Sequence, residues 1–299
     1  MASYDIIMPT DSLHMVPVVR KIGPADLIGA LGKGLEDFWA MPTHVVFLAL
    51  IYPIVGLMLG RAVMGAELIP LLYPITTGFA LIGPFAAIGL YELSRRREAG
   101  MDTSWKHAFD IIHSPSLRAI LALGALLSMI FVLWIAVAHG IYIANFGVRG
   151  STSLGEFAHA VLTTEAGLRL IVIGNAVGFG FAVLAFLLSV VSFPLLLDRN
   201  VGFAVAIITS IRVVLINPVA MALWGMIVVA GLLIGALPFL LGLAIIMPVL
   251  GHSTWHLYRR VVEPDSNLRP EFQPRPKTVR YAADFPSCLF VWSRKGDPS

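Results

Sequence analysis

The chain has 299 residues, of which 58% are hydrophobic and 13% charged, against roughly 45–50% and about 25% in soluble domains. That composition excludes an ordinary soluble globular protein, and the small net charge of +3 gives no basis for nucleic-acid binding. The lone cysteine, Cys288, excludes a disulfide framework and a Cys-based metal site.

In chain order, residues 1–23 are polar, contain two prolines and lack a sustained period, so they read as a flexible N-terminal segment. They show no basic region followed by an apolar core, so no cleaved signal is expected and the first span would serve as an uncleaved one. From Pro24 a helical period begins. Leu27, Leu31, Leu35, Phe38 and Trp39 share one face, and Asp26, Lys33, Glu36 and Asp37 mostly avoid it. This is expected to be an amphipathic helix in the interface plane, ended by Pro42.

A first span is expected over 44–60 and a second over 68–91, the latter kinked by Pro70, Pro74, Gly78, Gly83 and Pro84 and closed sharply at Glu92 and Arg95, Arg96 and Arg97. Residues 101–114, with Trp105, Phe109, Ile111 and Ile112, repeat the surface-helix pattern before Pro115. The third span covers 117–143, and 145–167 is read as the longest loop between spans. The fourth span, 170–197, would be about 42 Å long as a helix. It must therefore tilt, bend at Pro194 or project from a ~30 Å hydrocarbon core. Residues 201–217 are a third surface-helix candidate, with Arg212 as their only charge and Pro218 after them. Spans over 219–236 and 237–258 form a closing hairpin. The tail 263–299 is rich in Pro and Arg and reads as disordered and cytoplasmic. The expected architecture is an all-α polytopic membrane bundle over 24–262, with about six transmembrane helices and three interfacial amphipathic helices.

Aligned on Pro42, Pro115 and Pro218, the chain places Phe38, Ile111 and Val214 four residues earlier and Trp39, Ile112 and Leu215 three earlier. A possible threefold internal repeat of surface helix, proline, span and span follows. Arginine and lysine fall mainly on the side of the amino terminus, where Arg20, Lys21, Lys33, Lys106, Arg199, Arg212, Arg259 and Arg260 join the triple-arginine run; Arg61, Arg149 and Arg169 lie opposite. The positive-inside rule then predicts a bacterial inner (plasma) membrane protein with both termini cytoplasmic. Trp39, Trp105, Trp255 and Tyr258 would sit at the inner interface.

Apart from Arg118 at the very start of the third span, the spans carry no Asp, Glu, Lys or Arg, which disfavours a pump or a charge-coupled carrier. A passive channel would need a polar path lined by Thr76, Thr77, Asn175 and Ser192. The sharpest chemical candidates are His252 and His256, four apart on one helical face, a spacing suited to a metal or a haem edge. Against this stands an interfacial hydrogen-bonding role, and no His-Glu-x-x-His is present. The default is no cofactor. Arg95, Arg96 and Arg97 read as a topology signal or an anionic-lipid contact, with Glu92 a local ion-pair partner. Asp198 and Arg199 read as a span-end cap at the interface, alongside Trp255, Tyr258 and Arg259. No nucleophile–base pair, phosphate loop or carboxylate dyad stands at a span end, so no catalytic residue is assigned. The expected role is membrane organisation or assembly, with a respiratory haem or metal subunit and a passive channel as alternatives. Membrane lipids are the expected partners, another membrane complex or a second copy the alternatives, and nucleic acid is excluded.

Four strings carry a resemblance. They are Gly83-Pro84 through Leu90-Tyr91-Glu92-Leu93-Ser94-Arg95-Arg96, Ser192-Phe193-Pro194-Leu195-Leu196-Leu197-Asp198-Arg199, Asn217-Pro218, and Gly251-His252 through Trp255-His256-Leu257-Tyr258-Arg259. In this order over about 22–262, they resemble a family of predicted bacterial integral membrane proteins filed as a domain of unknown function. Some relatives bear the label cytochrome c oxidase subunit I. That label implies a twelve-helix protein with a larger set of haem and copper histidines, which a chain of about six spans does not match. The resemblance implies membrane location and supplies no mechanism.

Overall fold

Pro24 fixes the first turn of α1 (Pro24–Ala40), and Asp26 reaches back to the Gly23 N–H at 3.0 Å, closing the helix start. The computed structural model describes residues 16–41, 70–147, 154–237 and 242–264; the expected first span and most of the tail lie outside them. The buried stripe of α1 is Leu27, Ala30, Gly34, Asp37 and Phe38, spaced three and four apart. This corrects the sequence-based face. Asp37 points inward, whereas Leu35 and Trp39 point outward together with Ile28.

Beyond residue 69 the expected second span is broken, as its prolines and glycines require. It consists of α2 (Leu72–Gly78), a 3-10 turn (Phe79–Ile82), α3 (Gly83–Ala86) and α4 (Ile88–Glu98). The indole of Trp134 donates to the Pro74 carbonyl at 2.9 Å and fills the space a side chain at Gly78 would need. The helix does not close at Glu92. It runs through all three arginines, whose charge suits a helix C-terminus, and stops at Gly100, where φ is +67°. Residues Trp105–His113 then form a 3-10 helix.

α5 (Leu117–Phe146) buries Ile120, Leu123, Leu127, Ile130, Trp134, Ala138 and Tyr142, a seam repeating every three or four residues. A short helix, α6 (Leu154–Thr163), occupies the region expected to be loop. Thr164 caps α7 (Glu165–Ser189) by accepting the Gly167 N–H. The chain breaks at Val190 and Val191 before α8 (Ser192–Asp198). Pro194 has no N–H to offer the Val190 carbonyl four residues back, so the bend falls one turn ahead of the proline itself. α9 (Phe203–Ile216), α10 (Pro218–Ala236) and α11 (Leu243–Val261) complete the described chain.

Among the described residues, three stretches are long and apolar enough to cross a membrane: Leu117–Phe146, Glu165–Asp198 and Pro218–Ala236. α11 is not among them, because its second half carries His252, Ser253, Thr254, His256 and two arginines. Those side chains are mostly buried in protein. Outward-facing Met129, Val132, Leu133, Val172 and Phe179 suit a hydrocarbon environment.

Part of the segment expected to be flexible is pinned. The Arg20 N–H donates to Val261 and the Glu263 N–H to Val18, around a bridge between Val19 and Val262. Asn217 accepts from the Ile22 N–H and donates to the Arg20 carbonyl. These bonds satisfy backbone groups that neither helix end can satisfy alone.

Candidate functional site

Three buried carboxylates sit where the ends of α1, α4, α8 and α11 meet. The innermost, Asp37, is only 4% exposed. Its Oδ2 accepts from Ser94 Oγ at 2.5 Å and lies 2.8 Å from His256 Nε2, while Oδ1 accepts from Arg97 Nη1 at 2.5 Å. Ser94 Oγ also stands 2.7 Å from His252 Nδ1. The single Ser94 proton belongs on the side of the ionised carboxylate, so His252 Nδ1–H donates to Ser94, which donates to Asp37. Burial alone would push the Asp37 carboxyl up. The hydrogen bonds from His256, Ser94 and Arg97 outweigh it and hold the group below the usual carboxylate range.

The second carboxylate, Glu92, is buried and takes both Arg95 and Arg96, with contacts of 2.7–2.8 Å. Arg96 continues to Asp110 at 2.6 Å, tying α4 to the 3-10 helix. There His107 lies between Asp110 at 2.7 Å and Asp102 at 3.0 Å, and these carboxylates raise its pKa above the ordinary histidine value. The third, Asp198, accepts from the Tyr258 hydroxyl at 2.6 Å and pairs with Arg199 at 3.4 Å. Arg199 also donates to the Glu263 carbonyl. Trp255 Nε1 and Arg259 Nε both donate to Glu98, at 2.9 and 3.0 Å.

Glycines permit the close packing. A Cβ at Gly34 would lie 2.6 Å from the Ser253 backbone nitrogen, and Gly251 admits the Leu90 side chain. α1 and α11 therefore cross with backbones nearly touching, which brings Asp37 within reach of both histidines.

The sequence candidates are redistributed accordingly. His252 and His256 do converge, but on Ser94 and Asp37, and Ser94 and His252 are 0% exposed. Among the described residues no group of three or more His, Cys, Asp or Glu is arranged to hold a metal. Arg95, Arg96 and Arg97 pair with carboxylates of this chain, Glu92, Asp110 and Asp37. Trp255 and Tyr258 are buried in protein, bonded to Glu98 and Asp198. Asp198 ends α8, Arg199 follows it and Arg259 lies in the last turn of α11, and all three are members of the cluster. Asp37, Ser94 and Glu98 escaped the sequence reading. The signal for Asp37 was its place seven residues after Ala30, on the face that proved to be buried.

The polar path a channel would require is not assembled by the residues named for it. Thr76 and Thr77 bond back to the carbonyls of Leu72 and Tyr73, and Asn175 accepts from the Tyr73 hydroxyl on an exposed face. Ser192 is fully buried, donating to Leu188 and Ala206 carbonyls. A depression of about 210 Å³ lined by Val177, Gly180, Phe181 and Leu184 lies elsewhere along α7 and is apolar.

Apolar helices of membrane length, one of which reaches a buried polar cluster through Asp198, define a helical integral membrane protein. Residues 72–198 match the model of a family described as predicted integral membrane protein (DUF2189). The match is narrower than the resemblance over 22–262. It contains Glu92, Ser94, the three arginines and Asp198, and it leaves out Asp37, His252 and His256. No curated protein and no solved structure matches the chain.

Proposed function

We propose that this chain is a non-enzymatic, multi-pass protein of the bacterial inner membrane, with both termini cytoplasmic, acting in membrane organisation or as an assembly factor. One observation carries the reading. The side chains able to do chemistry are spent on each other: Ser94, Asp37, His252 and His256 form a buried network that clamps α1, α4 and α11 together. Catalysis needs a nucleophile or base within reach of a substrate, and these face neighbouring helices. Such networks rigidify and specify a single packing.

The repeat gains support from burial. Four residues before each aligned proline, Phe38, Ile111 and Val214 pack on the core, and three before, Trp39, Ile112 and Leu215 are 78%, 63% and 69% exposed. The cationic end gathered by the cluster supports a cytoplasmic assignment. In right-side-out spheroplasts, a membrane-impermeant maleimide should leave Cys288 unlabelled and should label a cysteine placed at Arg149 in a Cys288→Ser background. The opposite pattern would invert the topology.

The functional half of the reading is tested at Asp198 and Arg199. Changing both to alanine strands the Tyr258 hydroxyl and should cost about 1–3 kcal/mol, seen as a lower yield of inserted, monodisperse protein and a lower Tm. Unchanged stability together with loss of complementation of a deletion strain would mark these residues as functional rather than architectural, and would sink the reading.

A further inference from the structure

Most carboxylates at the polar end are consumed by cations of this chain, as Asp26 is by Arg260, Glu98 by Arg259 and Asp110 by Arg96. Among the described residues of this end, Lys21, Lys33, Lys106, Arg118 and Arg212 are exposed and make no ion pair. Glu36 is the one exposed carboxylate there without an ion pair. The charge left over is therefore positive, and three of these five cations lie on the elements that precede the aligned prolines.

The same elements carry outward apolar side chains. A 3-10 helix repeats every three residues, so Lys106 shares a face with Phe109 and Ile112, both more than half exposed. On α9, Arg212 stands four residues after Ile208 and three before Leu215, both exposed. On α1 the outward apolar face is Ile28, Leu35 and Trp39, and Lys33, also exposed, lies about a third of a turn round the helix from Trp39. On the 105–113 helix and α9, an apolar surface with a long cation beside it places the stem in hydrocarbon and the charge at headgroup depth.

We infer that Lys33, Lys106 and Arg212, with the outward faces of α1, the 105–113 helix and α9, form a docking surface for anionic phospholipid headgroups. This rests on the membrane-spanning reading above and adds to it a choice of lipid. Charge complementarity selects anionic over zwitterionic lipid, because a neutral leaflet would leave these cations uncompensated.

The exposed indoles, Trp39 and Trp105, report directly on that surface, since Trp134, Trp224 and Trp255 are buried. The full chain, in a Trp292→Phe background, would be reconstituted in phosphatidylcholine vesicles containing brominated phosphatidylglycerol or brominated phosphatidylcholine. Brominated phosphatidylglycerol should quench tryptophan fluorescence more at equal mole fraction, with the excess shrinking as salt rises. In the Lys33→Gln, Lys106→Gln, Arg212→Gln variant the preference should fall by up to about fivefold per cation at low salt, while quenching by brominated phosphatidylcholine persists. Equal quenching of the parent by both lipids, or an excess that survives the triple change, overturns the inference and leaves the spanning reading intact. Quenching by neither lipid means that protein covers these faces, which also overturns it; the maleimide result then decides separately whether the spanning reading stands.

Discussion

Replacing Asp37 with alanine is expected to destabilise the protein by about 3–5 kcal/mol, the range for removing one partner from a buried charge pair. The loss comes from what remains behind. The Ser94 hydroxyl and the His256 ring lose their acceptor in a site closed to water, whereas Arg97, whose side chain is 38% exposed, can turn to solvent. Asp37→Asn separates charge from shape, since the amide retains one carbonyl oxygen for Ser94 or His256 but cannot hold Arg97 electrostatically. Its deficit should fall between those of wild type and alanine. The pH dependence has a definite sign. The folded carboxyl is held below its ordinary value, so its contribution is complete above about pH 4 and disappears as pH falls through the lowered folded value. The alanine deficit should therefore shrink in strong acid. Thermal unfolding in a mild detergent across that range measures it. A Tm for Asp37→Ala equal to that of wild type at neutral pH would show that the cluster does not hold α1 in place.

Gly34→Ala is expected to be the most damaging small substitution in α1. The added Cβ would stand 2.6 Å from the Ser253 nitrogen and 2.7 Å from its Cα. A backbone in the middle of a helix cannot rotate away as a side chain can, so α1 must shift outward. Overpacking of this kind costs about 3 kcal/mol at the upper end of its usual range, and the shift also lengthens the bonds from Asp37 to His256 and Ser94. Gly32→Ala is the matched control. Nothing lies within 4 Å of a Cβ there, so it should stabilise the helix by up to about 1 kcal/mol. At Gly251 the obstructing atoms belong to the Leu90 side chain, which can change rotamer, so alanine there should cost less than at Gly34. Equal Tm values for the Gly32 and Gly34 variants would refute the close crossing of α1 and α11.

Several features were legible in the sequence because they depend on local chemistry. The kinks between Leu72 and Ile88 follow from Pro74, Gly78, Gly83 and Pro84, whatever surrounds them. The bend in the long fourth helix follows from Pro194, displaced by one turn for the reason that proline withholds a donor four residues back. Other features were illegible because they depend on partners distant in the chain. Asp37 and His256 are 219 residues apart. On α1 two apolar stripes compete, and periodicity alone does not say which one faces protein. The outward stripe holds the larger side chains, Ile28, Leu35 and Trp39, so a reading by hydrophobicity favours it. The stripe that is buried contains Ala30, Gly34 and Asp37, chosen for closeness to α11 and not for apolar area.

By itself, then, the sequence determined that this is a helical protein of the membrane and where its helices break, since apolar length, proline and glycine act within a few residues. Tertiary structure decided which charges are spent. Arg95, Arg96 and Arg97, which read as topology signals and candidate lipid contacts, close on Glu92, Asp110 and Asp37, and the histidines that suggested a cofactor close on Ser94 and Asp37. The physical reason is that an ion pair is settled by distance and burial, which hydropathy and spacing along one helix do not encode.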